Sequence, residues 1–112
     1  MAFKSVLEIV NGVAKITLSG ELDAAVAPAF RADVEKAAAA KVKAVALFMK
    51  DLEYMASAGL RALVFAKQKM GPQTEIYMIA LQETVMETIT MTGFQNSVTF
   101  LDDYDAAKIE SA

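Results

Sequence analysis

Among the side chains able to do chemistry, one hydroxyl stands apart. The segment Met55-Ala56-Ser57-Ala58-Gly59-Leu60-Arg61 follows an apolar run, Val42 to Met49, that reads as a buried strand. It opens a run marked by Leu60, Leu63 and Val64 that reads as a helix. Ser57 therefore falls where a strand and its loop hand over to a helix start. Backbone N–H groups stand unpaired there, and the helix dipole favours negative charge. A phosphoryl group on Ser57 would add about −1.5 to −2 charges and three acceptor oxygens. The fold would tolerate that charge, and the surface would change sign locally. The plainer role for the same side chain is an N-cap accepting from the N–H of Gly59 or Leu60, worth about 0.5–2 kcal/mol. Arg61 lies four residues on, along the same helix face, and helical side chains lean toward the N-terminus. It either reaches back to a phosphate on Ser57 or is a solvated cation.

Other chemistries drop out. The chain has no His and no Cys. Zinc-finger, blue-copper, cysteine-nucleophile and Ser-His-Asp schemes are excluded with them. The five glycines are isolated and form no phosphate-cradling loop, and no calcium-loop pattern is present. The acidic run Asp102, Asp103, Asp105 reads as a helix start and solvated face, not a metal site. No cofactor is expected, and no enzyme. A net charge of −3 with scattered Lys and Arg argues against a nucleic-acid surface. No apolar run approaches the ~18 residues of a membrane span. The stretch Met1 to Val10 carries charges inside its apolar pattern, unlike a signal peptide. The expected location is the cytoplasm.

The elements that must hold Ser57 are legible. A length of 112 residues at 55% apolar content suits one domain over 1–112 with a packed core. Residues 3–10 alternate with apolar side chains on both faces, which predicts a strand covered on both sides. Asn11-Gly12 is a strong hairpin signal, and 13–18 form the return strand closed by Gly20. A helix is expected over 25–40, with Pro28 in its first turn. Residues 42–49 predict a strand buried between layers. A second helix over 58–70 stops at Gly71-Pro72. Residues 74–81 predict a strand and 82–92 a helix with Gly93 at C′. A short strand follows at 98–100, then a last helix capped by Asp102 and ending near Glu110. Alternating strands and helices predict an α/β fold: a mixed sheet of four to five strands, an N-terminal antiparallel hairpin, the remainder mostly parallel, and about four helices.

Three segments carry a resemblance. Gly20-Glu21-Leu22-Asp23 precedes a Pro-containing helix start, and Asp51 to Leu63 spans the serine segment. Met91-Thr92-Gly93-Phe94 leads into a short strand. Together, in this order and spacing, they resemble the STAS domain in its stand-alone bacterial anti-sigma factor antagonist form. The resemblance implies partner switching. The antagonist binds an anti-sigma factor that is also a serine kinase, is phosphorylated in the loop before the second helix, and releases. A separate PP2C-type phosphatase resets it. The best-known members read Asp-Ser-Ser-Gly and are modified on the serine next to the glycine. Here that position is Ala58, and the hydroxyl sits one residue earlier, on Ser57. Other members read Ser-Ser-Ala-Gly-Leu-Arg, which is nearer to this chain.

The resemblance makes Ser57 the candidate phosphoacceptor. The candidate partner-binding residues are Asp23, Met55, Ala56, Ala58, Gly59, Arg61, Ala62 and Phe65. Asp23 has the alternative roles of turn residue or helix N-cap, and Gly59 permits a close approach for packing or docking. Ala58, Ala62 and Phe65 form one apolar stripe and Leu60, Leu63 and Val64 a second. The second is expected on the sheet and the first partly open, unless both are core. Met55 is core filler or contact surface. Two rival functions remain: a STAS module without phosphorylation, as a constitutive antagonist or a subunit of a lipid-transport complex, and a nucleotide-binding domain.

Overall fold

Asn11 and Gly12 adopt φ of 52° and 76°. Two successive positive values give a type I′ turn, whose twist matches that of the strands it joins. The turn sets strand β1 (Lys4–Val10) antiparallel to β2 (Val13–Leu22), with Val10 facing Val13 and Lys4 facing Ser19. The computed structural model describes residues 2–71 and 73–110, with only the backbone of Gln95. The chain continues through α1 (Ala27–Ala39), β3 (Ala44–Met55), α2 (Ser57–Met70), β4 (Glu75–Ile79) and α3 (Glu83–Thr90). A single 3-10 turn (Phe94–Ser97), β5 (Thr99–Leu101) and α4 (Ala106–Glu110) complete it. The five strands lie in the order β1-β2-β3-β4-β5, and every pair after the hairpin is parallel. The α/β architecture expected from the alternation of strands and helices is the one observed.

Two apolar layers follow from strand alternation. Ala14, Ile16 and Leu18 of β2 join Val45, Leu47 and Met49 of β3 in the main core, against Phe30 and Val34 of α1, Leu63 of α2 and Ile89 of α3. The opposite face holds a smaller cluster, with Val13, Ala44, Ala46, Tyr77 and Ile79 beneath Ile109 of α4. Burial on both faces explains why 42–49 is almost continuously apolar. A polar clasp pins α4. The Glu110 carboxylate accepts from Tyr104 Oη at 2.6 Å and Asn11 Nδ2 at 2.7 Å, and pairs with Lys15 Nζ at 3.6 Å. Lys15 Nζ lies 4.5 Å from the centre of the Tyr104 ring. Burial, then the hydrogen bond to Glu110, pushes the Tyr104 phenol up to about 12. The bonds from Tyr104 and Asn11 hold Glu110 below the ordinary carboxylate range.

Several expectations need correction. β1 is an edge strand, and Val6 and Ile9 remain 49% and 44% exposed. β3 runs past Met49 to Met55, through residues that read as a loop, because β2 also extends and keeps pairing with it. Asp105 caps the last helix in place of Asp102, its Oδ1 accepting from the Lys108 N–H at 3.1 Å. α3 ends at Thr90 with Met91 as cap, and Gly93 instead opens the 3-10 turn with φ 79°. α2 ends against Gly71, whose φ is 80°. The expected terminator Pro72 lies outside the described residues.

Candidate functional site

The site grows from the far end of the β2–β3 ladder. Register shifts opposite Thr17 to Ser19 and opposite Gly20 to Glu21 mark bulges in β3, which spends an extra residue at each. Bulges re-aim a strand's side chains. Beyond them Leu22 pairs with Met55, and the Ala56 N–H donates to the Leu22 carbonyl at 2.8 Å. Asp23 and Ala56 therefore leave the sheet side by side. Asp23 is a turn residue: its Oδ1 accepts from the N–H groups of Ala25 at 3.0 Å and Val26 at 3.2 Å, and the N-cap of α1 is Val26.

Ser57 is the first residue of α2 and is exposed. The cap position falls to Ala56, with φ −78° and ψ 166°, and no side chain caps the helix. The expected capping bond from Ser57 is thus absent. Its cause is the length of β3, which leaves Ala56 as the single residue between strand and helix. The first turn of α2 carries no acidic residue either. Its leading N–H groups and positive dipole end face the site without a compensating anion. Arg61 is exposed one turn along.

Three residues expected at a docking surface are interior. Met55 is 2% exposed and Ala62 5%. Gly59 is buried against Leu22 and Met55, so close that an added Cβ would stand 2.7 Å from Leu22 Cγ. Packing is the reason for this glycine. The expected open stripe is split: Ala58 and Phe65 are half-buried, while Ala62 faces the core with Leu60 and Leu63. Asp23, Ala56, Ser57, Ala58, Arg61 and Phe65 keep accessible surface at this end of the molecule.

A groove of about 390 Å³ runs between the starts of α1 and α2, lined by Pro28 and Arg31 on one side and Ala58 and Arg61 on the other. Helical spacing alone leaves Arg31 as an outward-facing charge on α1. Its guanidinium stacks 3.8 Å from the centre of the Phe65 ring, and its Nε lies 3.4 Å from Glu35 Oε1. Tyr54, three residues before Ser57, is 47% exposed. The apolar run ends at Met49, so pattern alone does not place Tyr54 on a strand. No cluster of metal-ligating side chains occurs among the described residues, and no helix among them is long and apolar enough to cross a membrane.

The family model of the STAS domain matches residues 4–107. The chain belongs to the STAS domain family. Solved structures share its fold. An anti-sigma factor antagonist from Mycobacterium paratuberculosis superposes with a TM-score of 0.85 at 24% identity, over 96% of this chain and 92% of that one. The unphosphorylated anti-sigma factor antagonist SpoIIAA gives 0.77 at 18% identity, over 98% and 95%. The phosphorylated Bacillus cell fate determinant SpoIIAA gives 0.70 at 17% identity, over 98% of each chain. Comparison with curated protein sequences gave no match. In this STAS domain, as in the alternation read from its sequence, the serine segment joins the third strand to the second helix.

Proposed function

We propose that this STAS domain is a cytoplasmic anti-sigma factor antagonist without catalytic activity of its own. It docks on an anti-sigma factor that is also a serine kinase, through the surface formed by Asp23, Ala56, Ser57, Ala58 and Arg61. Phosphorylation of Ser57 releases it, and a PP2C-type phosphatase restores it. The observation that carries this reading is an exposed serine at the uncapped N-terminus of α2. The added charge meets the positive end of a helix, so the fold stands. The partner then meets a dianion where it had met a small neutral side chain. Ala58, half-buried and without a hydroxyl, favours a second reading, in which the same surface serves a STAS module that is never phosphorylated.

Incubation with ATP and the cognate anti-sigma kinase tests the choice. The expected result is a gain of one phosphate by intact mass, located on Ser57 and abolished by Ser57→Ala. Binding of the kinase without any transfer overturns the phosphorylation and leaves the second reading.

A further inference from the structure

We propose that β1 is the pairing edge for a second copy of this chain, joining two sheets antiparallel about a two-fold axis at Val6. The inference is independent of any event at Ser57. β1 is the outer strand of the sheet, and two of the four large apolar side chains most exposed among the described residues, Val6 and Ile9, lie on it.

The backbone fixes which groups point outward. Val10 faces Val13 across the two-residue turn, and the residues that flank such a turn form a hydrogen-bonded pair. Hydrogen-bonded and non-hydrogen-bonded pairs alternate along an antiparallel ladder. Lys4, Val6, Glu8 and Val10 therefore spend their N–H and C=O groups on β2. Those of Ser5, Leu7 and Ile9 face the open edge. A two-fold axis through Val6 sets Ser5 of one copy against Leu7 of the other, so outward groups meet outward groups. The axis itself falls on a non-hydrogen-bonded Val6–Val6 pair, with the side chains close together.

The side chains obey the same symmetry. Lys4, Val6 and Glu8 share the face turned away from α1, whereas Ser5 on the other face donates to Asp33 of α1 at 2.5 Å. Pairing about Val6 sets Lys4 of each copy opposite Glu8 of the other. Both charges are exposed. Edge strands are commonly blunted by charge. Here the two charges are of opposite sign and equidistant from Val6, so self-pairing turns the guard into two cross-strand ion pairs.

The absence of native cysteine gives a direct test. Non-hydrogen-bonded partners lie about 4.5 Å apart at Cα, inside the roughly 4.4–6.8 Å range of disulfides. Under mild oxidation Val6→Cys should form a disulfide dimer at least about tenfold faster than Lys4→Cys, whose two copies lie well beyond that range. Sedimentation of the full chain should show a concentration-dependent dimer. Glu8→Lys should weaken it about tenfold, or about 1.4 kcal/mol, and Lys4→Glu with Glu8→Lys should restore it. The double variant keeps the new lysine beside Lys15, so its recovery separates pairing between copies from disturbance within one. A monomer at every concentration overturns the proposal. So does equal crosslinking at positions 4 and 6, or a double variant no better than Glu8→Lys.

Discussion

Replacing Gly59 with alanine sets two effects against each other, and their sizes decide the sign. An alanine within a helix is favoured over glycine by at most about 1 kcal/mol. At this position the added Cβ would stand 2.7 Å and 2.9 Å from Leu22 Cγ and Cδ2, and 3.3 Å from Met55 Cγ. Leu22 is 0% and Met55 2% exposed, and the two are paired in the β2–β3 ladder, so neither can swing into solvent. Overpacking of this kind costs about 1–3 kcal/mol. Gly59 sits in the first turn of α2 and not in the helix interior, so the gain falls short of that ceiling and the expected balance is a net loss of ~0.5–2 kcal/mol, which for a domain of this size lowers Tm by roughly 2–8 °C. Thermal melts and urea titrations with an unchanged slope would measure it. Leu22→Val opens space at the contact, so the double variant should lose less than the sum of the single losses. A Gly59→Ala protein that melts at or above the unsubstituted temperature would refute the close approach of α2 to the sheet.

Ser57→Ala should change stability by no more than about 0.5 kcal/mol, because the hydroxyl caps nothing; a loss of ~0.5–2 kcal/mol in a urea titration would reveal a cap. Gly20→Ala should cost about 1–3 kcal/mol, since Gly20 holds φ 84° and an added Cβ would stand 2.4 Å from the Ala2 carbonyl oxygen. Alkaline titration followed by phenolate absorbance should find Tyr104 ionising near 12. The raised value means that the fold prefers the neutral phenol. That stabilisation is complete below the ordinary value of 10.0 and is lost as pH rises toward about 12; in Tyr104→Phe it should vanish from the alkaline melting curve. Glu110 has the opposite sign: its lowered value gives stability above the ordinary carboxylate range, lost as pH falls through the folded value, and Glu110→Gln should flatten the acid limb.

Local chemistry made most of the elements readable. Asn11-Gly12 could only be a tight hairpin, and the helical spacing of Phe30, Val34 and Ala37 could only be α1. What escaped depends on neighbours that local pattern does not name. The apolar residues on both faces of β1 suggest cover on both sides, yet its place at the sheet edge is a property of topology. Asp51, Glu53 and Tyr54 interrupt the apolar run and imitate a loop. The bulges in β3 set buried Leu52 and Met55 three residues apart and break the two-residue period that would have marked a strand. The same extension moved the start of α2 by one residue, which sufficed to hand the cap from Ser57 to Ala56. Gly59 and Ala62 are small enough to lie on either side of a helix, and only the proximity of Leu22 decides for the interior. Arg31 and Arg61 meet across one groove because two helix starts converge, which neither segment contains alone.

Ala56 is all the slack between the longest strand and the helix that begins at Ser57. Each residue of an α-helix advances the chain by about 100° around its axis. Adding or removing one residue at this joint would rotate the serine a quarter-turn or more while the helix kept its seat. The compass bearing of that hydroxyl is therefore indexed by a β-ladder, as a cog is by its rack, and natural variation in length belongs at other junctions of the fold.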